Sequence, residues 1–466
     1  MSQTVAVILA AGMGTRMKSK EPKVLHKVAG VPMIIHVIDA LHEASVEDII
    51  IVLGYQGEKV KKIVGQDYKY VYQEQQQGTG HALLQALPAL QEFSGGNCLV
   101  LCGDTPLLRG KTLESLINRH NLSGAKATVL TTNISDPSGY GRIVKGLNGI
   151  EKIVEEKDAS SEEKCINEIN TGAYCFELKS LRKGLRKLTP ANAQGEYYLT
   201  DIIKNLVDEK KLVDTLCIMD SEEAMGINNR VQLSQAETYL RDRILKDHML
   251  NGVTIIDPKN TYVGKCVKIG VDTILYPGVI LEGKTIIGDD NSIGPYTTVV
   301  DSVIDGNCTI KYSLLDKVKV GKNADIGPYS YLRPGTVLHE DVKVGDFSEV
   351  KNTQVGRGTK IPHLSYIGDS ILGEGINIGA GTITCNYDGV NKHKTIIGDG
   401  VFVGSNTNLI APIMVGEGAY IGAGSTVTKD VPSGALSVAR GKQRNIENWE
   451  EHSRVKLKKD NNREGQ

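Results

Sequence analysis

No run of apolar residues in this chain approaches the ~20 that cross a bilayer, and MSQTVAVILAAG at the start lacks a basic-then-apolar leader, so no spanning helix and no secretory signal are expected. Eight cysteines are scattered without a CxxC pair or metal-finger spacing, which argues against a disulfide framework or a structural zinc. They read as reduced thiols of a cytoplasmic protein. Net charge is −1, which gives no support to nucleic acid or an anionic membrane as a partner. Aromatics are 5% of the chain and Trp449 is its single tryptophan, as suits a chain rich in small and aliphatic residues.

What the chain has instead is a beat of six. Ile269, Leu275, Leu281, Ile287, Ile293 and Val299 are in phase, as are Val320, Ile326, Leu332, Leu338, Val344 and Val350. After a slip come Val355, Ile361 and Ile367, and then Ile397, Val403, Leu409, Val415, Ile421 and Val427. Helices step at 3.6 and half-buried strands at 2, so neither produces this pattern. Hexads mark a parallel β-helix whose aliphatics fill the core. Glycine often follows the aliphatic, which suggests corner geometry that a Cβ would disfavour. The beat is interrupted at 384–396, TCNYDGVNKHKTI, with polar and aromatic residues no core needs. In a solenoid, function belongs to such breaks and to the meeting of coils.

At 466 residues two domains are expected. Residues 1–230 alternate strand-like and helix-like segments: strands at Val5–Ala10, Ile49–Leu53, Leu99–Cys102 and Ala127–Thr131, helices at Met33–Ala44 and Thr112–Asn121. That is an α/β, Rossmann-like pattern with a largely parallel sheet, whose ligands gather beyond the strand ends. From 231 to 251 the spacing of Leu233, Ala236, Leu240 and Ile244 predicts a connecting helix, with Glu237, Arg241, Asp242 and Lys246 on its solvent face. A β-helix over 252–450 and a solvated charged tail over 451–466 complete the division.

Two loops past strands carry chemistry. Leu9-Ala10-Ala11-Gly12-Met13-Gly14-Thr15-Arg16-Met17, followed by Glu21-Pro22-Lys23, offers backbone N–H groups to a phosphate and cations from Arg16 and Lys23. A bare GxG would be a plain turn, and the spacing is not that of a Walker loop. Leu101-Cys102-Gly103-Asp104-Thr105-Pro106 places Asp104 to hold Mg²⁺, a hard cation that shares oxygen ligands with substrate phosphates.

The LAAGxGTRM…PK string resembles the signature of sugar nucleotidyltransferases, and the β-helix is similar to hexapeptide-repeat acyltransferases. Taken end to end, residues 1–450 resemble the bacterial bifunctional enzymes that acetylate glucosamine 1-phosphate and uridylylate the product. The resemblance implies that Gln73, Gly78 and Thr79 read the uracil, with Gly141, Glu155 and Asn170 around the sugar and Asn228 as the second protein ligand of the metal. His81 is left as structural. The resemblance also implies a left-handed coil, which the hexad alone cannot fix and which is unusual for crossovers. Homotrimers are the expected assembly.

Acetyl transfer to an amine needs a base, and His363, two residues past the core Ile361, supplies an imidazole near neutral pH. Glu349 matches the residue that orients this histidine. Arg333 and Lys351 stand after core aliphatics, where the repeat favours glycine, and an anionic sugar phosphate explains them; the resemblance adds Tyr366 and Asn377. It places acetyl-CoA at Ala380, Asn386, Tyr387, Ser405, Ala423 and Arg440, with Asn386 and Ser405 helping the oxyanion or the thiolate. In the other half-reaction UTP and N-acetylglucosamine 1-phosphate would meet over Asp104 and Asn228, with Arg16 and Lys23 offsetting the charge of pyrophosphate. The product, UDP-N-acetylglucosamine, serves cell-wall and lipopolysaccharide-type synthesis. Two rivals stand beside this reading. One is a single-activity nucleotidyltransferase with the β-helix as scaffold, the other a non-enzymatic trimer. The scaffold has no use for His363, Glu349, Arg333, Lys351 and the 384–396 interruption together. The non-enzymatic trimer would predict losses among Asp104, Lys23 and Asn228, and none is seen.

Overall fold

The computed structural model describes residues 3–146, 149–451 and 454, so most of the tail expected over 451–466 lies outside the described residues. The chain divides into two units, Met1–Leu250 with Val263–Lys265, and Asn251–Tyr262 with Cys266–Gln466.

In the first unit the apolar run Thr4–Ala10 is the central strand, parallel to Asp48–Leu53 on one side and to Asn97–Cys102 on the other. Lys69–Tyr72 continues the sheet beyond Asp48–Leu53. Beyond Asn97–Cys102 the strand Glu168–Glu177 runs antiparallel, followed by Ala127–Asn133 and, parallel to that, Val213–Ile218. Apolar side chains from both faces of the sheet build two cores, one around Val7, Val100 and Phe176 and the other around Ile8, Ile51 and Leu99. The helix Met33–Glu43 buries Met33, Ile34, Val37, Ile38 and Leu41, the spacing of one helical face.

The helix Arg230–Leu250 packs Leu233, Ala236, Tyr239 and Leu240 with Val28, Met33, Leu107 and Ile227 of the same unit. Glu237 departs from the exposed face that its spacing assigns. Its carboxylate accepts the Ala29 N–H at 2.7 Å, which satisfies a donor at a residue held at φ 48°.

The second unit winds three stacks of short parallel strands. In one stack Ile274 pairs with Ser292, Ser292 with Thr309 and Thr309 with Asp325. From Leu275 on, the aliphatics of the hexad point inward and are buried, each stabilising the coil by roughly 1.5–3 kcal/mol, while Ile269 in the first coil is half-buried. The slips in the beat do not interrupt the core. Ile304, Ile310 and Leu315 are buried between Val299 and Val320, reached by shorter corners. Two residues before many of these aliphatics stands a buried Ser or Thr whose hydroxyl closes the corner, as when Ser302 donates to the Val300 carbonyl at 2.7 Å and Thr353 to Lys351 at 2.8 Å.

Gly294 and Gly327 take the left-handed corner that was expected, at φ 104° and 98°, but at the other positions glycine after the aliphatic has a different cause. Gly345 and Gly404 lie outside the left-handed region; a Cβ on Gly345 would sit 1.9 Å from the Pro362 carbonyl oxygen, and one on Gly404 2.4 Å from the Ala423 amide. Close stacking of coils excludes a side chain there. Non-glycine left-handed corners are taken by Asp272, Asp290, Asn307, Asn323 and Asp341 in one column, by Tyr296, Tyr312, Tyr329 and Phe347 in a second, and by Asp301, Lys317, Asn352 and Asp369 in a third. That second column is exposed, and its rings stack at 5.9, 5.5 and 5.3 Å between centroids.

Candidate functional sites

In the first unit the glycine loop, the 73–79 segment and the end of Asn97–Cys102 surround a cavity of about 320 Å³. Leu9, Ala10, Ala11, Gly12, Lys23, Gln73, Gly78, Thr79 and Asp104 all line it. Gly78 sits at φ 101°, where a Cβ would meet the Tyr197 carbonyl at 2.7 Å, so the backbone of this segment is pressed onto the 196–199 chain. Leu199 N–H donates to the Thr79 hydroxyl at 3.3 Å, which ties the same two segments. Gln73 is buried, and its amide donates to the Gly78 carbonyl at 3.1 Å with His81 Nδ1 3.0 Å away, a structural place for His81.

At one end of the cavity two oxygens converge on a cation. The Lys23 ammonium binds the Asp104 carboxylate and, at 3.0 Å, Asn228 Oδ1, which also accepts from Arg16 at 2.9 Å. Asp104 and Asn228 are further linked through the Ile227 N–H, which donates to the Asp104 carbonyl at 3.0 Å. One carboxylate and one amide oxygen aimed at a single positive charge suit a hard cation that takes its other ligands from phosphates. Among the described residues no cluster of three or more His, Cys, Asp and Glu could hold a metal alone.

Gly141, Glu155 and Asn170 form a second group. A Cβ on Gly141 would touch Asn170 and the Glu155 carboxylate, each at 3.5 Å, while Asn170 N–H donates to the Gly141 carbonyl at 2.8 Å. The Thr200 hydroxyl donates to Glu155 at 3.1 Å, and desolvation raises the Glu155 carboxyl above its ordinary value. Cys102 joins the two groups: it lines the cavity and its thiol, pushed up to about 12 by burial, lies against Gly172. Gln76 and Glu196 also line the cavity and were not singled out by sequence. Gln76 donates to the Ala11 carbonyl at 2.7 Å, but in a run of glutamines it has no distinguishing mark.

In the second unit coil stacking makes a column that the sequence numbers conceal. Asp346 pairs with His363, and the registers Lys360–Asn377, Ile378–Val403 and Val403–Ile421 continue the same corner to Ala380, Ser405 and Ala423. Backbone bonds follow the same steps, with Asn406 N–H on the Ala380 carbonyl at 2.7 Å and Gly424 N–H on Ser405 at 2.8 Å. Arg440 ends the column, donating to the Ala423 carbonyl at 2.7 Å.

The orienting partner expected for His363 is corrected by this geometry. His363 Nδ1 lies 2.6 Å from Asp346 Oδ1, and Glu349 instead accepts from Arg333 at 2.7 Å. The reason is register: Asp346 and His363 are direct neighbours on adjacent coils, whereas Glu349 pairs with Tyr366 on the next face. The hydrogen bond to His363 holds the Asp346 carboxyl below the usual range.

Arg333, Lys351 and Tyr366 stand on that next stack of strands, beside Asn386. A Cβ on Gly368 would collide with the Tyr366 hydroxyl and meet Asn386 Nδ2 at 2.9 Å, so glycine there admits both side chains. Lys392, from the 384–396 interruption, lies next to Lys351, and that ammonium lowers Lys392 below the usual lysine range. Two adjacent ammonium groups fit an anion. Asn377 lies on a different stack from Tyr366, and Tyr387 is exposed in the interruption, its hydroxyl donating to the Gly389 carbonyl at 2.6 Å.

Residues 6–193 match the family of MobA-like NTP transferase domains, and residues 394–429 match the bacterial transferase hexapeptide family. A protein named bifunctional protein GlmU from Geobacillus sp. strain WCH70 is 49% identical, covering 98% of this chain and 99% of its own length. The protein of that name from Heliobacterium modesticaldum is 52% identical, covering 96% and 98%. Its counterpart from Carboxydothermus hydrogenoformans is 51% identical, covering 95% and 99%.

Proposed function

The chain belongs to the bifunctional GlmU family, and we propose that the cavity in its first unit and the column in its second divide that family's two reactions between them. The protein is a transferase that makes UDP-N-acetylglucosamine, by acetyl transfer to glucosamine 1-phosphate and uridylyl transfer from UTP to the acetylated product. The single-activity rival does not survive relatives that are named bifunctional over nearly the whole chain.

In the first unit the backbone of Leu9–Gly12 and the cations of Arg16 and Lys23 receive the triphosphate of UTP, and Gln73, Gly78 and Thr79 hold the base. Gly141, Glu155 and Asn170 hold the sugar. Asp104 and Asn228 would hold Mg²⁺, which when bound neutralises phosphate charge. Lys23 and Arg16 then offset the charge of the departing pyrophosphate. The observation that supports this reading is the convergence of Asp104 and Asn228 on one cation at the wall of the cavity.

In the second unit His363 Nε2 takes the proton that the sugar amine loses as its nitrogen bonds to the acetyl carbon and the coenzyme A thiolate leaves. Arg333, Lys351, Tyr366 and Asn377 receive the sugar phosphate, and Glu349 enters through Arg333. Ala380, Ser405 and Ala423 leave a shallow track for the pantetheine arm beside Asn386 and Tyr387, and Arg440 meets its phosphates. Because Asn377 and Tyr366 are on different faces, a ligand touching both is completed by another copy, which supports a homotrimer. The exposed ring column from Tyr296 to Phe347 supports it too. Cytoplasmic location, where both co-substrates arise, belongs to the same reading; no described helix is long and apolar enough to cross a membrane.

The test is thiol release from acetyl-CoA on addition of glucosamine 1-phosphate, measured beside pyrophosphate release from UTP and N-acetylglucosamine 1-phosphate. His363→Ala is expected to lose the first by roughly a hundredfold or more and keep the second. Asp104→Ala is expected to do the reverse. Both activities falling together in a folded variant would sink the two-site reading.

A further inference from the structure

The acetyl site contains a carboxylate that the reaction as described does not use. Asp369 sits at a left-handed corner, φ 49°, with 9% exposure. Its Oδ1 accepts from Asn352 Nδ2 at 2.7 Å and its Oδ2 from Asn386 Nδ2 at 2.5 Å. Asn386 is itself buried, and its Nδ2 has the Tyr366 hydroxyl as a second partner at 3.4 Å. Among the described residues nothing donates to Asn386 Oδ1. A carboxylate is acceptor-only, so the group it meets must be the NH₂ end of the amide, and the carbonyl end is left for a ligand.

We propose that Asp369 is a positioning residue that fixes Asn386 with its carbonyl, not its NH₂, turned toward the acetyl acceptor. Asn386 then accepts from the N–H of the sugar amine and cannot serve as an oxyanion donor, which leaves that task to Ser405 or to backbone N–H groups. Burial pushes the Asp369 carboxyl up, but the two asparagine amides and the nearby Lys351 and Lys392 more than offset it, so the group stays ionised and the assignment of the amide holds. This inference rests on the acetyltransferase reading above.

An exchange of the two side chains tests it. In Asn386→Asp two carboxylates face each other, and acetyl transfer is expected to fall roughly a hundredfold. In the double variant Asp369→Asn/Asn386→Asp the amide introduced at position 369 again donates across the contact and keeps its own oxygen for Asn352. The carboxylate at position 386 then meets a donor instead of a like charge and is held with its second oxygen toward the substrate, and kcat is expected to recover at least roughly tenfold over the single variant. Asp369→Asn alone lets the Asn386 amide turn over, so kcat should fall with the KM for acetyl-CoA unchanged, a split that a merely structural role would not give. A double variant that melts like wild type but stays as slow as Asn386→Asp overturns the proposal, as does an Asp369→Asn enzyme with wild-type kcat. Absence of thiol release from the wild type would instead defeat the acetyltransferase reading itself.

Discussion

His363 and Asp346 meet at 2.6 Å across adjacent coils, Nδ1 to Oδ1, although they stand 17 positions apart in sequence. The contact assigns the ring: Nδ1 carries the proton toward the carboxylate, and Nε2 keeps its lone pair for an amine. Both side chains are more than a third exposed, so the bond matters for orientation and not for folding stability.

Removing the carboxylate should therefore slow the acetyl step without loosening substrate. Asp346→Ala is expected to lower kcat by roughly 10- to 100-fold, the usual cost of losing a partner that orients a functional histidine. Asp346→Asn, which can still accept from Nδ1–H, should lose less. KM for glucosamine 1-phosphate stays put in both. Steady-state kinetics by thiol release decides it, and equal losses in the two variants would argue against orientation through this bond.

Arg333 should act on binding. Its guanidinium is engaged by Glu349 at 2.7 Å on an exposed face, ready to exchange or share that partner with a phosphate. A guanidinium that meets a phosphate makes a charge-assisted bond that glutamine cannot replace, so Arg333→Gln is expected to raise KM for glucosamine 1-phosphate by roughly 10- to 100-fold with a smaller change in kcat. Uridylyl transfer should be untouched.

These two sites differ in how far the sequence discloses them. The hexad was visible because each coil needs an inward aliphatic, and the slips near Val299 and Val320 were corners one residue shorter, with Ile304, Ile310 and Leu315 still inside. The buried Ser and Thr hydroxyls escaped notice because small polar residues ordinarily lie outside. Asp346 escaped because only the stacking of one coil on the next makes it a neighbour of His363. The glycine loop and Asp104 were legible since loops past parallel strands are where ligands bind. Gln76 and Glu196 were not, because nothing in a polar run marks which side chain turns inward.

Glu155 carries a pH signature. Desolvation raises its carboxyl in the folded chain, so between the ordinary value of about 4.3 and the raised one the native state binds a proton that the unfolded chain has released. Stability contributed by this group is present below that window and is lost as pH rises through it. Glu155→Gln keeps an acceptor for the Thr200 hydroxyl and removes the buried charge. Its first-unit transition is expected to melt a few degrees above wild type at pH 7.5 and level with it near pH 4, while uridylyl transfer falls roughly tenfold or more for want of a charged partner to the sugar. Calorimetry at the two pH values, read beside pyrophosphate release, checks both halves.

The stacked rings of Tyr296, Tyr312, Tyr329 and Phe347 give the proposed assembly its own test. Four aromatics on one corner, 68%, 38%, 55% and 58% exposed, contribute little to the core of a single coil. Against a second copy each stacked pair would be worth about 0.5–1.5 kcal/mol beyond the area it buries. Replacing Tyr312 and Tyr329 with serine should leave the melting of the first unit unchanged and shift the sedimenting species from three chains toward one. Because Tyr366 and Asn377 lie on different faces, acetyl transfer should fall with dilution in this variant and recover on concentration, while uridylyl transfer per chain stays constant. An enzyme whose mass and acetyl transfer are both indifferent to the two substitutions would place the contact between copies elsewhere on the coil.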